Sequence, residues 1–223
     1  MHSIGVVVPV LIRTDKHLAM TMKCLELARR NTKLPFQLII VESGSQYLTD
    51  EADIHIFERI ATTPEIGHNL GFMVASRNDY VVLLTNDTYM TEGWLESLLE
   101  CFQIPDCGLS TLGTERFGHV KKEFIDEGNW FDVAMIKSEV FKRCGYYDER
   151  YNGSWPDTDL LLRAYKEGWK MYRNFNCIVT APQGEAHATV YMNPKHQENY
   201  LMGQKLFYEK HKDCGLEIFD RLK

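Results

Sequence analysis

The sequence has no apolar run approaching the roughly 20 residues that span a bilayer. Its apolar opening, Ile4-Gly5-Val6-Val7-Val8-Pro9, is short and interrupted by a proline. It lacks a basic segment before it and a small-residue cleavage site after it, so no secretory leader is expected. There is no C-x-x-C pair. The six cysteines, Cys24, Cys101, Cys107, Cys144, Cys177 and Cys214, lie scattered in apolar segments without a common zinc spacing. They are expected to be buried free thiols of a reducing cytoplasm. There is no excess of positive charge: the formal net charge is −6, which argues against a protein that lives on non-specific phosphate contacts. No repeat, low-complexity tract or Pro/Gly/Ser-rich linker divides the chain. A single domain over residues 1–223 is therefore expected, and this length suffices for one substantial core.

What is present is an alternation of strand-like and helix-like segments, which predicts α/β architecture with a largely parallel sheet and helices on its faces. The β-branched run 4–10 reads as a strand buried on both faces. A helix is predicted over 14–30, with Leu18, Met22 and Leu25 at helical spacing. Strands are predicted at 36–41, 54–60, 80–84, 107–112 and 130–136. The segment 67–78 starts glycine-rich and continues as a helix. Helices follow at 92–102, 138–144, 157–167 and 196–211, with two short strands between the last two. The weakly periodic stretch 113–129 reads as a loop over the site.

Polar clusters fall where parallel sheets bind ligands, beyond the carboxyl ends of strands. Glu42-Ser43-Gly44-Ser45 follows the second strand, and Thr85-Asn86-Asp87-Thr88 follows the strand over 80–84. Asp87 fits two roles, a cap for the next turn or a hard-oxygen ligand for magnesium or manganese. Asp157 and Asp159 lie two apart, so on one helix they point roughly 200° apart and cannot share a task. Asp157 at a helix start is favoured by capping and the dipole; it is also placed to act as a general base. His187, in Gly184-Glu185-Ala186-His187, is either loop surface or a metal ligand.

Taken in order, six segments resemble the family 2 glycosyltransferases of the GT-A fold, a Rossmann-like nucleotide-binding sheet flanked by helices. They are Val6-Val7-Val8-Pro9-Val10, Val41-Glu42-Ser43-Gly44-Ser45, Asn69-Leu70-Gly71-Phe72 with Asn78, Leu83-Leu84-Thr85-Asn86-Asp87-Thr88, Cys144-Gly145-Tyr146-Tyr147-Asp148-Glu149, and Pro156-Asp157-Thr158-Asp159-Leu160 with Arg163 and Gly168. The resemblance covers roughly residues 4–190. It implies transfer of a sugar, with inversion, from a nucleoside diphosphate sugar, UDP-linked by expectation, to an acceptor hydroxyl. It implies Asp157 as catalytic base. Asp87, with His187 as a further ligand, would hold the Mn2+ or Mg2+ that bridges the diphosphate. Glu42 would contact the base. Pro9, Ser45 and Asn86, with Asn69, Gly71 and Asn78, would line the rest of the nucleotide-sugar site. Residues 1–112 would form the donor half, 113–190 the acceptor half, and 191–223 a closing helical segment.

Three positions depart from the family pattern. Thr85 stands where the metal motif has an acidic residue or Asn, Pro156 replaces the acidic residue before Asp157, and Glu42 replaces Asp. The acceptor is left open between a glycan, a glycolipid and a modified nucleic-acid base; for the last, Arg116, His119, Lys121 and Lys122 would contact phosphates, although a solvated loop is the favoured reading of those charges. A non-catalytic nucleotide-sugar binder is the alternative from another class. A nucleotidyltransferase ranks lower, because no glycine-rich phosphate loop lies near Pro9. The expected location is cytoplasmic, with peripheral membrane association and homo-oligomerisation left open.

Overall fold

A computed structural model describes residues 2–45, 51–58, 63–115, 118–128, 133–180 and 195–212. Its eight strands are β1 (Ile4–Val10), β2 (Gln37–Ser43), β3 (Ile54–Glu58), β4 (Tyr80–Leu84), β5 (Cys107–Thr114), β6 (Ile125–Glu127), β7 (Val133–Lys137) and β8 (Lys170–Val179). Its helices are α1 (Asp15–Arg30), α2 (Pro64–Ala75), α3 (Trp94–Glu100), α4 (Ser138–Cys144), α5 (Pro156–Lys166) and α6 (His196–His211). The strands form one sheet in the order β3-β2-β1-β4-β7-β5-β8-β6.

The sheet is mixed, which corrects the expectation of a largely parallel one. β3, β2, β1 and β4 pair in parallel, as do β5 and β8, while β7 runs opposite to both β4 and β5 and β6 runs opposite to β8. Because β7 reverses direction between β4 and β5, β5 and β8 point the same way as β1. Six carboxyl ends thus share one edge of the sheet. Two further differences lie at the other end of the sheet. The expected loop over 113–129 contains β6, and the two short strands expected after α5 are one ten-residue strand, β8. β8 pairs irregularly, stepping from Leu112↔Asn174 to Gly113↔Ile178. That shift breaks the alternation of buried and exposed residues on which a strand reading depends.

Continuous apolar runs in β1 and β4 reflect burial on both faces. Val6, Val8, Val82 and Leu84 pack with Cys24 and Leu25 of α1 and Trp94 and Leu98 of α3. Val7, Val81 and Leu83 pack on the other face, with Phe72 of α2, Val140 of α4 and Leu160 of α5. Thr14 caps α1 by accepting from the His17 N–H at 3.2 Å. α6 closes the α5 side, where Phe207 joins Tyr151, Trp155 and Leu162 in a third cluster. Five cysteines are described and unbridged, four of them buried; burial pushes the Cys24 and Cys101 thiols up to about 12.

α2 approaches the sheet closely at Gly71. A Cβ there would stand 2.3 Å from Val7 Cγ1 and 3.1 Å from Val41 Cγ2. Gly71→Val recovers only about 0.4 kcal/mol of helix propensity. It forces bulk into a packed core, which costs about 1–3 kcal/mol. The variant is therefore expected to be destabilised by about 2 kcal/mol, read as a lower urea midpoint at unchanged slope; an unmoved midpoint would show that α2 can lift off the sheet without cost.

Candidate functional site

Strand β1 changes partners at the carboxyl edge. Its pairing with β4 ends at Val7↔Leu83, whereas its pairing with β2 continues to Val10↔Glu42. The chain proceeds outward from β1 to β2 and β3, then returns to β4 on the other side of β1. This is a topological switch point, where open α/β sheets leave a ligand crevice. Pro9 lies half-buried in the overhang of β1, beyond the last β4 pair, where a proline interrupts no β1–β4 pairing.

The turn after β4 is braced from two sides. The Thr85 and Thr88 hydroxyls bond each other at 2.6 Å, and the Thr88 N–H donates to the Thr85 carbonyl at 3.1 Å. Asn86 Nδ2 donates to the buried Thr21 hydroxyl of α1 at 2.8 Å, and the Cys24 thiol reaches the Thr85 carbonyl at 3.5 Å. Beyond the turn, Tyr89 is bridged to Thr180 at the end of β8 by bonds of 2.8 and 3.1 Å. Asp87 is held half-buried at the tip of this fixed turn. Asn86 thus serves to anchor the turn to α1.

At the end of β2, Glu42 is 1% exposed, with its Oε1 3.0 Å from His55 Nε2 on β3. The Ser43 hydroxyl bonds Glu58 across the same pair of strands on the opposite face. Ser45 Oγ accepts from the Ile12 N–H at 2.9 Å and so ties the β2 turn to the chain leaving β1. Three of the expected donor-site residues are not gathered with Asp87. α2 runs from the carboxyl edge to the amino edge, and Asn78 lies past its far end. There its Nδ2 donates to the Ala75 carbonyl and its own carbonyl accepts from Ser138, near Gly5 at the start of β1. The side chain of Asn69 is consumed by Tyr147: Nδ2 donates to its carbonyl at 2.9 Å and Oδ1 accepts from its N–H at 3.0 Å. Gly71 faces β1 and β2 inside the core.

Asp157 stands in the first turn of α5. The chain enters this helix through Asn152, Gly153 and Trp155 at φ values of 50°, 91° and 74°. For Trp155, a bulky residue, the left-handed region is strained. Asp157 Oδ1 accepts from the Thr158 N–H at 2.8 Å. Burial raises its carboxyl above the ordinary value, and the Thr158 bonds only partly oppose this. α5 precedes β8, which is aligned with β1, so its start lies on the carboxyl edge. Asp87 and Asp157 share that edge, one at a strand tip and one at a helix start on the α2 side.

Asp159 points elsewhere, as the helical angle requires. It is fully buried and meets Arg163 Nε at 2.8 Å, Tyr151 OH at 3.1 Å, His211 Nε2 at 2.8 Å and Lys210 Nζ at 2.8 Å. Burial pushes its carboxyl up, but Arg163, Lys210 and His211 outweigh it and hold the group below its ordinary value. This cluster fastens α6 to α5.

Among the described residues no group of three or more His, Cys, Asp or Glu side chains is arranged to hold a metal. His187 and Arg116 lie outside the described residues. Several residues of the edge were not foreseen: Glu65, His55, Thr21, and the Tyr151, Lys210 and His211 partners of Asp159. Only Glu65 leaves a signal in the sequence, standing four residues before Asn69 as a second polar position on one face of α2.

No protein-family model matches the sequence, and no curated protein matches it. Solved structures do match. A mannosyltransferase of Pyrobaculum calidifontis, crystallised with GDP-Man and Mn2+, is 14% identical over 96% of this chain and 65% of its own, with a TM-score of 0.70. GalNAc-T7, crystallised with UDP, GalNAc and Mn2+, is 9% identical over 81% of this chain and 44% of its own, with a TM-score of 0.68. S. aureus TarS 1-349 is 12% identical over 82% and 61%, with a TM-score of 0.65. The fold is GT-A. This chain thus matches less than two thirds of the length of each of these proteins. Among the described residues of this GT-A fold, no helix is long and apolar enough to cross a membrane.

The Asp159 cluster generates a pH-dependent prediction. His211, lowered by burial, contributes stability that is lost as pH falls through 6.5 toward its folded value. Asp159, held low, contributes stability present above 3.8 and lost as pH falls below it. Asp159→Asn leaves Arg163 and Lys210 without their countercharge and should cost about 3 kcal/mol near pH 7. Asp159 also raises His211, so without it the variant's loss should be larger than the wild type's as pH falls from 6.5 and smaller below 3.8, as measured by urea midpoints from about pH 7 to about pH 3. Parallel losses in the two proteins would show that the cluster does not carry the acid sensitivity.

Proposed function

We propose that this chain is an inverting family 2 glycosyltransferase that moves a sugar from a nucleoside diphosphate sugar, UDP-linked, to an acceptor hydroxyl. The observation that carries the reading is the placement of Asp87 and Asp157 on one edge of a GT-A sheet, at a switch-point crevice. The crystallised partners of structures with the same fold, UDP, GDP-Man and Mn2+, support it.

Asp157 takes the proton from the acceptor hydroxyl as it attacks. Burial makes it a stronger base than an exposed carboxylate, and it must be ionised to act, so turnover rises with pH through a value above 3.8. Asp87 holds the divalent cation, Mn2+ or Mg2+, with His187 as a further ligand. One protein carboxylate would suffice for such an ion, and the turn that carries Asp87 is braced by Thr85, Thr88 and Asn86. When bound, the cation neutralises charge on the leaving diphosphate. Pro9 and Glu42 shape the nucleotide pocket, while Ser45 and Asn86 hold its loops in place. Residues 1–112 supply the donor side and 113–190 the acceptor side.

A thermal-shift panel of nucleotide-sugars with and without manganese is expected to show stabilisation by a UDP-sugar that depends on the metal. Turnover should release nucleoside diphosphate and no pyrophosphate. Asp157→Asn is expected to lower transfer by roughly 10²–10⁴-fold while leaving donor affinity unchanged; wild-type turnover in that variant would remove Asp157 as the base. Asp87→Ala should erase the manganese-dependent part of the donor shift, and an undiminished shift would take Asp87 out of the metal site.

A further inference from the structure

The turn that delivers Asp157 is held by a carboxylate outside the motifs. Glu65 lies in the first turn of α2 and is 1% exposed. Its Oε1 accepts from the N–H of Gly153, in the middle of the left-handed stretch that leads into α5. Four residues along the same helix face, Asn69 pins the backbone of Tyr147 through both ends of its amide and donates to Glu149 Oε1 at 3.1 Å. The two buried polar side chains of α2 thus fix the segment 147–153 at two points. α6 closes on the turn from the other side: a Cβ at Gly203 would stand 2.7 Å from the Ser154 carbonyl oxygen and 3.1 Å from Trp155 Cδ1. Strained backbone persists only where its surroundings determine it more than once, and here α2 and α6 both do so.

The charge of Glu65 has a neighbour of the same sign. Asp157 acts on Glu65 electrostatically, and both act on the buried Tyr147 hydroxyl. Arg163 faces Tyr147 with the opposite sign, and the His68 ring lies 5.6 Å from the Tyr147 ring. Burial of Glu65 raises its carboxyl, with the Gly153 N–H opposing.

We propose that Glu65 is a positioning residue: it clamps the strained turn 152–155 through the Gly153 N–H, so that the place of Asp157 at the start of α5 depends on it. The proposal rests on the reading of Asp157 as the base. Two substitutions separate the hydrogen bond from the charge. Glu65→Gln keeps an oxygen that can accept from Gly153 but removes the charge. Glu65→Ala removes both.

In steady-state transfer assays, Glu65→Ala should lower kcat by roughly 10–100-fold with little change in donor KM, the signature of a displaced group rather than a lost binding contact. Glu65→Gln, which keeps an acceptor for the Gly153 N–H, should restore most of kcat. Hydrogen exchange at the Gly153 amide reads the clamp with no substrate present: it should be faster by roughly 10-fold or more in Glu65→Ala than in the wild type, and slow again in Glu65→Gln. Unchanged exchange at Gly153 in a folded Glu65→Ala overturns the proposal, as does wild-type kcat in that variant. If the alanine variant does not fold, Glu65→Leu, which also lacks the acceptor but leaves less of a cavity, takes its place. Undiminished transfer by Asp157→Asn is a different result: it removes the base assignment, while Gly153 exchange still tests the clamp.

Discussion

The candidate site depends on strand β1 losing β4 as a partner after Val7 while keeping β2 as far as Val10. A strand that pairs on both sides to its end leaves no gap. Here the last three residues of β1 overhang, and the chain segments on its two sides depart in opposite directions. Every other feature of the site is an accessory to that gap. The turn at 85–88, the end of β2 and the start of α5 all lie on that edge, the last on the α2 side.

The polar residues near the gap divide into those that face it and those that hold its walls. Asn86, Ser45 and Asn69 each spend their side chains on neighbouring backbone or hydroxyl groups. A buried polar group without such a partner costs about 1–3 kcal/mol, so these bonds are conditions for burying the residues at all. Asp87 and Asp157 are half-buried, and both lie where the chain turns at the carboxyl edge, with Asp157 accepting from the Thr158 N–H. The contrast between Asp157 and Asp159 shows the same division within one helix turn. The first is raised by burial, which the Thr158 bonds only partly oppose, and the second is lowered by Arg163, Lys210 and His211. A carboxyl raised in the fold opposes stability at neutral pH and a lowered one supports it. The fold therefore offsets a destabilising carboxylate at the edge with a stabilising one two residues away.

Much of this was legible in the residues themselves. The continuous β-branched runs of β1 and β4 identify buried strands, since only a strand covered on both faces tolerates apolar residues at every position. Thr14 marks the start of α1, and the order of six short motifs points to the GT-A fold. The separate tasks of Asp157 and Asp159 follow from 100° per residue. The direction of β7, the strand β6 within an expected loop and the length of β8 were not legible. A strand carries no mark of the direction of its neighbour, and the irregular pairing of β8 hides its periodicity.

Local sequence determined which segments are strands and helices and which carboxylates stand at their ends, because periodicity, capping and backbone restriction act over a few residues. Only the tertiary structure decided that Asn69 and Gly71 serve packing and that Asn78 belongs to the far edge. It alone buried Glu42 against His55, and brought Glu65 to the turn 88 residues further along the chain. Those outcomes depend on which faces of distant elements meet, and contacts of that range are set by how the whole core closes.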